Sequence, residues 1–203
     1  LIQVAHSNPA PEIFIEEAHK DPVFDATPRG GGLPPTPGTA GACCLFGDDL
    51  VPDFLIHVKK GGFYGWPDAY IGPHKEPRQE KTNQELVDKT LYPDVLLGAH
   101  VAVLDILFYD GTQFPEKYRG GLFLAFHGSW NRAKRVGYRI TFIPFESGRP
   151  TSGPTDFLTG WMMAPNKPDV WGRPVGLLQM TDGSLLISDD GAKKLWHVSY
   201  AGQ

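Results

Sequence analysis

The stretch VGLLQMTDGSLLISDDGAKKLWHVSY, running from Val175 to Tyr200, decides the fold. Val175 to Met180 is an apolar run that ends at Asp182-Gly183, Ser184 to Ser188 follows, Asp190-Gly191 turns the chain, and Lys194 to Tyr200 completes the series. Asp-Gly between apolar runs is a strong hairpin signal, because both residues tolerate positive φ. The pattern predicts three short strands in an antiparallel meander.

The same grammar recurs upstream. Val101 to Tyr109 ends at Asp110-Gly111, Gly121 to Phe126 forms a second run, and Tyr138 to Phe145 forms a third that closes at Ser147-Gly148. Units of roughly 40 to 50 residues, each of four short strands, have the period of propeller blades. A third unit is centred on Leu55 to Val58 and Phe63 to Trp66, and a short peripheral helix is expected over Gln84 to Lys89. The expected fold is therefore all-β, a partial β-propeller of about two to three four-stranded antiparallel blades. A β-sandwich would fit the same strand count.

Upstream of Gly47 the texture changes. Pro9-Ala10-Pro11, Gly30-Gly31-Gly32 and Pro34-Pro35-Thr36-Pro37-Gly38 punctuate it, and only Glu12 to His19 has a helical pattern. Residues 1–46 are read as an irregular Pro/Gly-rich N-terminal segment and residues 47–203 as the propeller domain. A start at Leu1 suggests a longer product, and the abrupt change at Gly47 would fit a fusion junction or a shift of reading frame.

Composition agrees with this reading and removes other functions. The 24 Gly and 19 Pro, with 12% aromatic residues, suit many tight turns. A net charge of -4 lacks the basic excess of a phosphate-tracking surface, so no nucleic acid partner is expected. No apolar run approaches the ~20 residues of a membrane span. Cys43 and Cys44 are adjacent, and a disulfide between them would strain the intervening peptide, so they report no compartment.

Several strings carry more than pattern: Gly61-Gly62-Phe63-Tyr64-Gly65-Trp66-Pro67, Gly98-Ala99-His100, His127-Gly128-Ser129-Trp130-Asn131-Arg132, and Gly172-Arg173-Pro174-Val175-Gly176 followed by Ser188-Asp189-Asp190. In this order, from about Gly47 to Tyr200, the chain resembles the PQQ-dependent sugar dehydrogenases of the glucose/sorbosone dehydrogenase family. The resemblance implies a six-bladed propeller, secreted or periplasmic, that holds pyrroloquinoline quinone (PQQ) and calcium and oxidises a small-molecule sugar or aldehyde. It also implies that this chain carries only the C-terminal part. The early blades, with the family's catalytic His and an Arg-Asn cofactor contact, are not represented, and Gly41 to Phe46 stands where relatives have an acidic loop. An inactive propeller fragment or a carbohydrate-binding module is the alternative reading.

PQQ is a planar tricarboxylate, and holding it calls for fixed cations, hydrogen-bond donors and a flat surface. Arg132 and Arg173 stand at strand ends beside small residues and are the expected carboxylate contacts. His100 and His127 stand where strands emerge into loops, and both are expected to bind cofactor; the general base is expected in the early blades. Ser129 and Trp130 complete the expected cofactor contacts, the indole as a surface for cofactor or sugar, or as a plug between blades. Ser129 has no G-x-S-x-G setting, which excludes a serine hydrolase. Asp48 and Asp49 are the candidate calcium ligands, with a turn or strand cap as the competing role. Asp189-Asp190-Gly191 lacks EF-hand spacing and reads as a hairpin, and no Cys or His pair has zinc spacing. Two to three blades leave open flanks, so self-association through the blade edges is expected, with Phe54, Leu55, Leu185 and Ile187 as candidate flank residues and Ile13 to Ile15 as a segment that would cover one flank.

Overall fold

The computed structural model describes residues 13–18, 47–130, 132–164 and 166–201. In chain order the strands are β1 (Ile13–Ala18), β2 (Pro52–Leu55), β3 (Ala69–Tyr70), β4 (His74–Lys75), β5 (Val95–Ala99), β6 (Val103–Phe108) and β7 (Leu122–Phe126). They continue with β8 (Arg139–Ile143), β9 (Phe145–Glu146), β10 (Arg149–Pro150), β11 (Thr155–Leu158), β12 (Pro174–Gln179), β13 (Leu185–Asp189) and β14 (Lys194–Tyr200), and helix α1 (Gln84–Lys89) lies between β4 and β5. Two four-stranded antiparallel sheets, β11-β8-β7-β6 and β1-β14-β13-β12, stand beside a two-stranded β2-β5 sheet. The fold is a partial β-propeller: a partial first blade, then complete middle and last blades.

The run Leu-Phe-Leu-Ala-Phe of β7 is apolar throughout because both of its faces are covered. Phe123 and Ala125 enter the core shared by the middle and last blades, whereas Leu122, Leu124 and Phe126 enter the core shared with the first blade. Aromatic rings dominate the former: Phe123 and Phe157 have centroids 4.6 Å apart, and Phe114 meets Phe157 edge-on at 5.4 Å. Burying each ring contributes about 1.5–3 kcal/mol. Polar bonds fix the blade register. Leu177 N donates to Asp105 Oδ2 at 2.7 Å, and Gln179 Nε2 donates to Asp110 Oδ1 at 2.6 Å.

The meander of Val175 to Tyr200 forms as predicted, and Ser147-Gly148 makes a tight β9–β10 hairpin with φ of 51° and 75°. Helix α1 covers Gln84–Lys89, with the Asn83 side chain accepting from the Glu85 and Leu86 N–H groups. Four expectations are corrected. Asp110-Gly111 does not close a tight hairpin, because residues 109–121 form a loop whose Phe114 and Tyr118 fill the core. The first blade pairs β2 with Val95–Ala99, while Phe63 makes a single bridge to Thr90; the surrounding glycines and Pro67 interrupt any ladder from Phe63 to Trp66. The helical reading of Glu12 to His19 fails over its described residues: Ile13–Ala18 is a strand that pairs antiparallel with β14. That pairing satisfies the edge of the last blade, which outweighs a weak local helical pattern. Leu185 and Ile187 are fully buried against the middle blade and are not flank residues. The remainder of residues 1–46, including Cys43 and Cys44, lies outside the described residues.

Candidate functional site

Strand register brings the candidate residues to one rim. Val103 of β6 opposes Phe126 of β7, which opposes Arg139 of β8, Pro174 opposes Asp189 in the last blade, and Pro52 opposes Ala99 in the first. The loops 100–102, 127–138, 172–173 and 190–193, with the segment before β2, therefore emerge at the same end. Hydrogen bonds across blades join them.

At the junction of middle and last blades stand Arg173 and His127. Arg173 Nη2 donates to the Gly128 carbonyl at 2.9 Å and Nε to the His127 carbonyl at 3.4 Å. Its guanidinium carbon lies 5.6 Å from the centroid of the buried Tyr138 ring, within cation–π range. Glycine is required at Gly128, where φ is 97° and a Cβ would come within 2.5 Å of the Tyr138 ring. His127 Nε2–H donates to Asp190 Oδ1 at 2.9 Å, with the imidazole mostly buried and the carboxylate exposed.

At the junction of first and middle blades stand Arg132, Asp48, Asp49 and His100. Arg132 Nε donates to the Asp48 carbonyl at 2.9 Å and Nη2 to Asp49 Oδ1 at 2.8 Å. The Asp48 carboxylate accepts from Ala133 N at 3.1 Å. His100, at φ 64°, donates Nε2–H to the Gly47 carbonyl at 3.1 Å, and Asp53 Oδ2 accepts from Ala102 N at 2.8 Å. Ser129 is buried; its hydroxyl accepts from Val136 N at 3.0 Å, and its carbonyl accepts from Arg135 Nη1 at 2.9 Å and from the Tyr138 hydroxyl. Trp130 projects outward, 70% exposed.

The structure thus gathers the predicted residues into two groups: Arg173 with His127, and Arg132 with Asp48, Asp49 and His100. Sequence reasoning passed over Asp189, Asp190, Tyr138 and Asp53, which hold these groups in place. The signal for two of them was present in Asp189-Asp190-Gly191, which turns the chain and anchors the rim as well. Among the described residues no three His, Cys, Asp or Glu side chains converge as a metal cluster. The donor set fits PQQ in kind, with two guanidinium groups, an imidazole and an exposed indole on one rim. For calcium the described carboxylates supply few oxygens: a hard cation takes six to eight, whereas only Asp48 and Asp49 stand here, with Asp49 Oδ1 paired to Arg132 and the Asp48 carboxylate to Ala133 N.

Residues 64–201 match the family model described as TrAA12-like. An uncharacterized protein of Borreliella burgdorferi is 34% identical over 157 residues, covering 76% of this chain and 40% of that protein. The pyrroloquinoline quinone-dependent pyranose dehydrogenase of Coprinopsis cinerea is 33% identical over 114 residues, 48% of this chain and 15% of that enzyme. Among solved structures, the calcium structure of the Trichoderma reesei Carbohydrate-Active Enzymes Family AA12 superposes with a TM-score of 0.54 at 25% identity, over 70% of this chain and 39% of that one. The chain spans less than half the length of each of these relatives.

Proposed function

Because the chain belongs to the TrAA12-like family, we propose that it is part of a quinone-dependent oxidoreductase that oxidises a sugar or aldehyde group with PQQ, supplying the C-terminal blades of a longer six-bladed propeller. The observation that carries this reading is the bracing of Arg173 and His127 on one rim. A guanidinium held by two carbonyls over a ring keeps its orientation when an anion arrives, so little rotamer freedom is lost on binding. PQQ, when bound, supplies the two-electron acceptor.

In this reading Arg173 and Arg132 bind and orient the carboxylates, His127 stands on the same rim with its ring held by Asp190, and Trp130 offers a flat face. His100 and Ser129, committed to Gly47 and Val136, shape the loops that carry those side chains. No general base is assigned here; His127 and His100 each donate through Nε2, to Asp190 and to the Gly47 carbonyl. No step is routed through calcium. The blades from Gly47 onward act as one domain to which residues 1–46 lend a strand, and a secreted or periplasmic location accompanies the reading. Among the described residues no helix is long and apolar enough to cross a membrane.

A second reading, a catalytically inactive fragment or carbohydrate-binding module, is favoured by the exposed indoles of Trp130 and Trp171. One experiment separates the two. The chain is titrated with PQQ and calcium chloride while tryptophan fluorescence is followed, and then assayed with a panel of aldoses and a dye acceptor. Saturable PQQ binding supports the oxidoreductase reading, and sugar binding without PQQ binding supports the module. Neither would leave an inactive fragment.

A further inference from the structure

Asp189 ends β13 and is 3% exposed, yet its carboxylate accepts four hydrogen bonds. Oδ1 takes the backbone N–H groups of Arg173 and Ala192, each at 2.7 Å. Oδ2 takes the indole N–H groups of Trp161 at 2.8 Å and Trp196 at 2.9 Å. Every donor is neutral, so the carboxylate is satisfied by oriented dipoles. We propose that Asp189 is a positioning residue for cofactor binding: it fixes the backbone of Arg173, and through it the guanidinium that the rim presents. The proposal rests on the reading of Arg173 as a PQQ contact.

Three observations converge on it. Arg173 has its backbone N–H on Asp189 and its side chain on the carbonyls of His127 and Gly128, so backbone and guanidinium are pinned at opposite ends. Gly172 has no room for a side chain, because a Cβ there would lie 2.0 Å from Asp189 Oδ2. The glycine before Arg173 is therefore the space the carboxylate occupies. Finally, the next residue, Asp190, holds the His127 ring. One dipeptide at the end of β13 thus fixes the cation through its backbone and the imidazole through its side chain.

Asp189→Asn is the direct test, since it keeps the volume and removes the symmetry. Each carboxylate oxygen faces two N–H donors, so either amide orientation sets an NH2 group against two donors. The full 203-residue chain is labelled with 15N, and the Arg173 Nε–H resonance is followed without PQQ, with Arg132 Nε–H as an internal control on the other junction. PQQ affinity is then measured by fluorescence titration in wild type, D189N, R173Q and the double variant.

The expected result is that D189N moves the Arg173 resonance toward that of free arginine, leaves Arg132 in place and weakens PQQ binding about tenfold. It adds nothing in the R173Q background, because the two residues act as one unit. Trp196→Phe removes a donor from the same carboxylate and is expected to lower the melting temperature without moving the Arg173 resonance. An unmoved Arg173 resonance in folded D189N would overturn the proposal, as would an equal loss of PQQ affinity with and without R173Q. If D189N fails to fold, Gly172→Ala replaces it, displacing the carboxylate while keeping its charge; the same movement of Arg173 is expected, and an unmoved resonance would again overturn the proposal. Unchanged PQQ affinity in R173Q would overturn the cofactor reading, and the resonance measured without PQQ tells that failure apart.

Discussion

The Tyr109 hydroxyl donates to the Gly183 carbonyl at 2.8 Å and accepts from Phe114 N at 3.1 Å, tying the loop of the middle blade to a turn of the last. The ring is fully buried, so Tyr109→Phe leaves a carbonyl and an amide in the interior without their partner. The expected cost is about 1–3 kcal/mol, or about 2–4 °C in melting temperature for each kcal/mol lost in a chain of this size. Thermal unfolding by circular dichroism measures it, and an unchanged midpoint would refute the tie between blades.

Arginine at position 173 is expected to be irreplaceable by lysine. A lysine keeps the charge but cannot span two carbonyls with a planar fork over the Tyr138 ring. R173K is predicted to weaken PQQ binding about tenfold while leaving the melting temperature within a few degrees of wild type, about 1 kcal/mol of stability at most. Equal affinity in the two proteins would reduce the role of Arg173 to net charge.

Glu76 has no exposed side chain and meets the Arg78 guanidinium through Nε at 2.6 Å and Nη2 at 2.7 Å. Its hydrogen bond with Arg78 holds its carboxyl below the ordinary value of 4.5, against the opposing effect of burial. A lowered folded-state value means that the ionised carboxylate stabilises the fold fully above pH 4.5 and that this contribution is lost as pH falls through the folded value. Arg78 also lies 5.3 Å from the exposed Trp66 ring, so tryptophan emission reports the loop. Glu76→Gln is expected to cost about 1–3 kcal/mol at neutral pH and to flatten the acid limb of the stability profile. An unaltered acid limb in E76Q would count against the pair.

The blades were legible because their strands repeat one pattern of apolar run and turn, and the helix was legible because Asn83 caps it. The 109–121 connection was misread because Asp110-Gly111 has the local chemistry of a hairpin, while the deciding fact, that Phe114 and Tyr118 are core residues, is tertiary. β1 was misread as helical for the same reason, although Ile13 to Ile15 were expected at an open flank: its partner β14 lies at the opposite end of the chain. At the rim, residue types announced Arg173, Arg132 and His127, but not what holds them. Asp189 and Asp190 differ by one position and face opposite environments, one sealed among indoles and one in solvent. Only the burial of β13 separates them.

The outer face of the last blade carries the final prediction. Leu177 points into the core, so its neighbour Leu178 points away, and register places Leu178 beside Leu186, with Leu195 opposite Ser188 on that same face. Leu178 is 59% and Leu195 46% exposed, a row of the kind that a neighbouring blade covers elsewhere in this structure. β1 lies along the edge of β14, so it completes the sheet without covering this face. An apolar row open to water drives association at about 25 cal/mol per Å² buried. The chain is therefore expected to self-associate with rising concentration, and Leu178→Lys combined with Leu195→Lys is expected to lower the average mass toward that of a monomer without lowering the melting temperature. Light scattering across a dilution series measures the first effect and calorimetry the second. A chain that stays monomeric at every concentration would show that this face needs no cover, and a double variant that still associates would move the contact to the open side of the first blade, where Phe54 and Leu96 are exposed.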